Sequence, residues 1–128
     1  MFYLRPMAIA LSIRQPWVEL ILSGRKTIEV RSWATQHRGE LWLHAGATRN
    51  SHLLREFSLR EEDLQFGALV GVCELQACLE FDDDTWDRWR SQHLNEGDLN
   101  GRRFAWFLRN PNRIVPKSYK GRLGLMRI

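Results

Sequence analysis

A cation, a carboxylate and a guanidinium follow one another closely in Lys26, Glu29 and Arg31, inside Gly24-Arg25-Lys26-Thr27-Ile28-Glu29-Val30-Arg31-Ser32-Trp33. In an extended chain successive side chains alternate between faces. Thr27, Glu29 and Arg31 are therefore expected on one face, with Ile28 and Val30 on the other. Burying the apolar face leaves Glu29 beside Arg31 on a polar face that can line a groove, with Lys26 where the strand begins. Such a groove reads hydrogen-bonding ligands: the carboxylate accepts from amino groups, and the cations donate to carbonyl or phosphate oxygens. The plainer alternative is a structural Glu–Arg pair, worth little where it is exposed.

Other residues add to this set. Arg14-Gln15-Pro16-Trp17 opens a helix, and a helix start attracts phosphate. Arg14 is read toward a groove and Trp17 toward the core. Trp33 shares parity with Glu29 and Arg31, so it either stacks on a base or plugs the core. Glu74 ends an apolar strand face, where it is either a carboxylate in a dry cleft or the point at which the strand reaches solvent. If Lys26 meets Glu74, the lysine acts as a base or holds a base carbonyl. His37 and His44 lack Cys/His spacing for zinc, and a histidine at a strand end is read as structural. Ser12, Ser32 and Thr27 supply hydroxyls, but no Gly-x-Ser-x-Gly elbow, partnered triad or glycine-rich phosphate loop is visible. No metal or cofactor is expected.

Charge is distributed unevenly. The chain of 128 residues carries a formal net charge of +4. From Leu99 to Ile128 there are eight basic residues and no acidic ones, whereas acids gather at Glu56 to Asp63 and Glu80 to Asp87. A positive surface opposite a negative one suits a nucleic-acid binder. Lys117, Lys120 and Arg122, with Tyr119 among them, are read as a surface that tracks phosphates. Arginine outnumbers lysine 16 to 3, which suits bidentate phosphate and base contacts and equally suits a GC-rich coding sequence.

The elements that must position these residues are short. A strand is expected from Ala8 to Ile13, a helix from Pro16 to Gly24, the charged strand from Lys26 to Trp33, and a strand from Glu40 to His44. Leu53, Leu54 and Phe57 have helical spacing, and Leu59 to Gln65 starts a second short helix. Ala68 to Ala77 is the strongest strand; Val70, Val72 and Glu74 are placed on one face, Leu69, Cys73 and Leu75 on the other. Trp86 and Trp89 mark a short helix. Phe104 to Leu108 reads as a strand and Asn110-Pro111-Asn112 as a turn. Ile114-Val115 and Leu123 to Met126 are read as short closing strands. Cys73 and Cys78 fall on opposite faces of one strand, which argues against a local disulfide and fits a reducing cytoplasm.

In these residues the chain resembles the ASCH family (activating-signal-cointegrator homology). The resemblance runs through Leu11-Ser12-Ile13-Arg14-Gln15-Pro16-Trp17, the segment from Gly24 to Trp33, and His37-Arg38-Gly39-Glu40-Leu41-Trp42-Leu43-His44-Ala45. It returns in Gly71-Val72-Cys73-Glu74-Leu75 and Phe104-Ala105-Trp106-Phe107, and closes at Lys120-Gly121-Arg122-Leu123-Gly124-Leu125. It implies an α+β fold: a small mixed PUA-like β-barrel of five or six strands with flanking helices, and a cleft beside the first helix. It also implies binding of RNA or DNA. One branch of the family hydrolyses N4-acetylcytidine with a lysine, a threonine and a glutamate. The lysine and glutamate match Lys26 and Glu74, but the threonine position holds Glu29. Another branch cleaves RNA.

The expectation is thus one domain over residues 1–128, a cytoplasmic and monomeric binder of nucleic acid, RNA before DNA. Its proposed ligand set is Arg14, Lys26, Thr27, Glu29, Arg31, Trp33, Lys117, Tyr119, Lys120 and Arg122. The alternatives are a hydrolase of a modified pyrimidine nucleoside using Lys26 and Glu74, a ribonuclease, or a protein-interaction module presenting Trp86 and Trp89. No apolar run reaches the ~20 residues that a membrane-spanning helix needs.

Overall fold

A computed structural model describes residues 8–128. The fold is α+β, with six strands in one mixed sheet. In chain order the elements are β1 (Ile9–Ile13), α1 (Trp17–Leu22), β2 (Ile28–Arg31), β3 (Gly39–Ala45), α2 (Ser51–Glu56), β4 (Ala68–Glu80), α3 (Asp83–Arg88), α4 (Arg90–His93), β5 (Phe104–Ser118) and β6 (Leu125–Arg127). The strand order is β2-β5-β4-β3-β1-β6. The β1/β3 pair is parallel and the other pairs are antiparallel. β2 and β6 are the two ends of this order, so hydrogen bonding does not close the sheet into a barrel.

The sheet packs around α1. Val18, Ile21 and Leu22 of the helix share a core with Leu11 and Ile13 of β1, Leu41 and Leu43 of β3, Val70, Cys73 and Leu75 of β4, and Trp106 of β5. Burying such side chains stabilises by about 1.5–3 kcal/mol each. A second cluster covers the other face of β2 and β5: Ile28 and Ala105 pack with Phe81 and Trp86 beside α3. Asp82 starts α3 with a capping box, its side chain accepting from the Thr85 N–H while the Thr85 hydroxyl accepts from the Asp82 N–H. Trp86 is 5% exposed, donates its indole N–H to the Gly97 carbonyl and stacks on His93. It is therefore committed to the core, against the reading that presents it to a partner protein; Trp89 is half-buried against Phe107.

Two corrections concern the long strands. β4 carries register shifts between Leu69/Gly71, Val72/Glu74 and Leu75/Ala77. Against β3, Val70 is an extra residue between Leu69 and Gly71, and there strict alternation breaks. Val70 thus shares the inner core with Cys73 and Leu75, while Val72 and Glu74 keep the common outer face that alternation gives them, Glu74 exposed to solvent. Asn110-Pro111-Asn112 does not reverse the chain. β5 runs straight through it, with Asn110 in the left-handed region (φ 53°) and Asn112 opposite Val72. This half of β5 pairs only with β4, so its edge position admits the proline that a central strand would exclude. Cys73 and Cys78 are both free thiols on β4; burial pushes the Cys73 thiol up to about 12.

Candidate functional site

Sequence parity fails at the start of β2, and the failure builds the site. The strand starts at Ile28, so alternation does not extend back to Thr27. The Thr27 N–H donates to the Gln92 carbonyl, its carbonyl accepts from Leu108, and its side chain is exposed. Lys26 instead lies on the inner side with Glu29. It is held there by its own N–H, which donates to the Leu20 carbonyl at the end of α1.

Lys26 is 1% exposed and Glu29 4%. The Lys26 ammonium donates to the His93 carbonyl, stands 3.7 Å from Oε1 of Glu29 and sits 4.7 Å above the Trp17 ring. The other Glu29 oxygen accepts from Nη1 of Arg31 at 3.2 Å. Loss of solvent lowers the Lys26 pKa to about 8, against the opposing pull of Glu29. The His93 carbonyl is fixed because its ring is locked. Nε2 donates to the Trp86 carbonyl at 2.7 Å, and Nδ1 accepts the Asn95 N–H at 3.0 Å. Burial also pushes the His93 pKa down, in keeping with that neutral tautomer.

Glu29 and Arg31 form one wall of an open cleft of about 870 Å³. Trp33 continues that wall, packed edge-on against Trp106 with the rings 4.9 Å apart. Ser12, Arg14 and His44 come from the β1 and β3 side, and Tyr119, Lys120, Gly121 and Arg122 from the loop before β6. Arg14, Lys120 and Arg122 are exposed, and none makes an ion pair among the described residues. The cleft thus joins free cations, aromatic rings and one shielded carboxylate. Such a set can neutralise phosphate and hydrogen-bond a base.

Of the expected ligand residues, Arg14, Glu29, Arg31, Trp33, Tyr119, Lys120 and Arg122 line this cleft. Lys26 contacts Glu29 from within the fold and does not itself line the cleft. Thr27 faces away. Lys117 is exposed near the end of β5, opposite Leu69 and outside the cleft. Glu74 lies on the outer face of β4, opposite Glu40 and Arg109, in a separate depression. The structure therefore does not bring Lys26 and Glu74 together as an acid–base pair. Part of the basic C-terminal third is also neutralised: Arg113 makes a two-pronged pair with Glu19 at 2.7 Å, and Arg102 pairs with Glu80.

Ser12, His44 and Asn95 also line the cleft and were not singled out as ligands from sequence. Ser12 Oγ stands 2.9 Å from Nδ1 of His44, a partnership across 32 residues that only the parallel β1/β3 pairing creates. Among the described residues no cluster of three or more His, Cys, Asp or Glu side chains could hold a metal ion. No helix of the described residues is long and apolar enough to cross a membrane.

Comparison with known proteins agrees with this architecture. Activating signal cointegrator 1 of Homo sapiens is 32% identical over 121 residues, covering 84% of this chain but only 20% of that protein. The Mus musculus counterpart matches to the same extent. The chain therefore spans about a fifth of the length of these relatives. Among solved structures, the ASCH protein of Zymomonas mobilis superposes with a TM-score of 0.69 at 18% identity, covering 94% of this chain and 87% of that one. A tyrosine-to-phenylalanine variant of the same protein gives 0.69 at 17% identity, covering 94% and 89%. These structures share the fold. The sequence model of the ASCH domain matches residues 11–118, most of the described chain, and the protein belongs to the ASCH domain family.

Proposed function

We propose that this ASCH domain binds nucleic acid, RNA in preference to DNA, through the cleft between β2 and the loop before β6. The observation that carries the reading is the convergence of exposed Arg14, Lys120 and Arg122 on a cleft walled by Trp33 and the Glu29–Arg31 pair. The free cations take phosphate without sequence preference. The shielded wall takes a base or sugar by hydrogen bonds, and Trp33 offers a ring for stacking. The domain acts as a monomer in the cytoplasm, where its two free thiols stay reduced. The deacetylase reading finds no support, because Glu74 stands on another face from Lys26.

Fluorescence anisotropy with labelled single- and double-stranded RNA and DNA at two salt concentrations tests this. Salt-sensitive binding, tightest for RNA and weakened in Arg31→Ala, is the expected result. Absence of binding at low salt sinks the proposal.

A further inference from the structure

A hydroxyl and an imidazole meet in the cleft, apart from the Glu29–Arg31 wall. Ser12 Oγ is 2.9 Å from Nδ1 of His44, and Nε2 of the same ring is 2.6 Å from the Tyr119 carbonyl oxygen. A carbonyl only accepts, so in the neutral ring Nε2 carries the proton and Nδ1 presents a bare lone pair. The Ser12 proton therefore points at Nδ1. That is the relationship by which a general base activates a serine. Here a backbone carbonyl fixes the tautomer, the task a carboxylate performs in Ser-His-Asp triads.

The surroundings keep the pair tight and the hydroxyl reachable. His44 is 1% exposed, so its tautomer is shielded from bulk water, whereas Ser12 is half-buried and lines the cleft. Two glycines flank the hydroxyl. A Cβ on Gly46 would lie 3.6 Å from Ser12 Oγ; one on Gly121 would lie 3.1 Å from it and 2.7 Å from Cε1 of His44. Any side chain at 121 would push into the pair. Lys120 and Arg122 flank Gly121 in sequence, and Arg14 follows Ser12 by two residues, so three exposed cations line the same cleft as the serine.

We propose that Ser12 is a nucleophile with His44 as its base, and that this site hydrolyses carboxylic esters carried on phosphate-bearing molecules. Ser12 Oγ attacks the acyl carbon while its proton passes to Nδ1 of His44. The bond from the acyl carbon to the ester oxygen breaks, and the imidazolium returns the proton to that leaving oxygen. Water, deprotonated by Nδ1, then attacks the acyl-serine. The acyl–Oγ bond breaks and Ser12 regains its proton. The net reaction is ester plus water to acid plus alcohol, with no further reactant. The three cations select the phosphate.

An alkyl fluorophosphonate, which phosphonylates activated serines, tests the nucleophile in the full chain. Intact mass and peptide mapping of the wild-type protein are expected to show one adduct, on Ser12. Heat-denatured protein and Ser12→Ala should show none there. In His44→Gln, checked for native circular dichroism, labelling should slow by about 10²-fold or more, the usual contribution of a general base. An unlabelled Ser12 in the folded wild-type protein overturns the proposal, whatever the variants do. Labelling of Ser12 at an unchanged rate in folded His44→Gln also overturns it. The substrate class is read by comparing 2-naphthyl acetate with an O-acetylated nucleoside monophosphate. Faster turnover of the second, lost in Ser12→Ala, is expected; equal turnover refutes the phosphate requirement. Serine labelling needs no nucleic acid, so it fails or succeeds independently of the binding proposal.

Discussion

Nζ of Lys26 lies 3.7 Å from Oε1 of Glu29, with Lys26 buried behind the cleft wall that the nearly buried Glu29 helps to form. The pair sits in a chain of contacts. His93 stacks on Trp86, its carbonyl holds Lys26, Lys26 holds Glu29, and Glu29 holds Arg31 at the cleft surface. The α3–α4 region is thus linked to the Arg31 guanidinium through Lys26 and Glu29. Burial lowers the Lys26 pKa to about 8, and Glu29 keeps it from falling further.

That lowered pKa links stability to pH. Below pH 8 the folded and unfolded chains both hold the Lys26 proton. Between about 8 and 10.5 the unfolded chain keeps it and the folded chain releases it, so this group makes stability rise with pH across that window. The full rise is on the order of 3 kcal/mol. Urea denaturation of the wild type and Lys26→Met at pH 7.5 and pH 10 reads it as a gain present only in the wild type. Equal behaviour of the two proteins refutes it.

Glu29→Gln removes the carboxylate that Lys26 and Arg31 share. Leaving a buried cation unpaired typically costs about 3–5 kcal/mol. Chemical denaturation is expected to show a loss of that order, with part of it recovered when Lys26→Met is added. Without the carboxylate that raises it, the lysine pKa should drop below 8, which a titration of the Lys26 Nζ by NMR reads directly. A drop in stability below about 0.5 kcal/mol would place Glu29 among exposed pairs of little worth.

The sequence was legible wherever one element decided the outcome. Trp17, Leu20 and Ile21 have helical spacing, and α1 covers them. The apolar run after Gly67 is the central strand β4; Glu29, Arg31 and Trp33 line the cleft together with Val30 and Ser32, and Trp33 lies beyond the end of β2, where alternation no longer places it. Errors came where a neighbour overruled the local pattern. Thr27 leaves the face of Glu29 and Arg31 because backbone bonds to Gln92 and Leu108 claim it before β2 begins. Val70 leaves the face of Val72 and Glu74 at an irregularity in β4, which alternation cannot register. Asn110-Pro111 reads as a turn in isolation, yet pairing with β4 keeps the chain extended. Ser12 and His44 are each visible in the sequence, but their meeting depends on β1 lying parallel to β3, a long-range fact.

Gly71 is where α1 and β5 both press on β4. A Cβ there would lie 2.3 Å from Cδ2 of Leu22 and 2.7 Å from the Asn112 carbonyl oxygen. The leucine tip can turn aside, but the carbonyl belongs to the strand opposite. Gly71→Ala is expected to destabilise by about 1–3 kcal/mol, the usual cost of overpacking. Leu22→Ala added to it should not recover the loss, because the backbone clash remains. Full rescue by Leu22→Ala would show that the helix alone sets the constraint. Thermal and urea melts of the three variants distinguish the cases.

Placement in the cleft, rather than charge alone, should decide which cations matter for binding. Arg14 and Arg122 line the cleft without an ion-pair partner among the described residues, whereas Lys117 is exposed outside it and Glu74 lies on another face. Removing a phosphate contact lowers the salt dependence of binding by about one unit of log–log slope. Arg14→Ala and Arg122→Ala are each expected to weaken binding and reduce the slope by about that amount, while Lys117→Ala changes both far less. Trp33→Ala should weaken single-stranded binding by about 1–3 kcal/mol while leaving the slope intact, because stacking releases no counterions. Glu74→Ala removes a negative charge from the outer face and should leave both affinity and slope nearly unchanged. An equal effect of Lys117 and Arg122 would instead mean that nucleic acid tracks a diffuse basic surface, and the cleft would lose its claim to be the reading site.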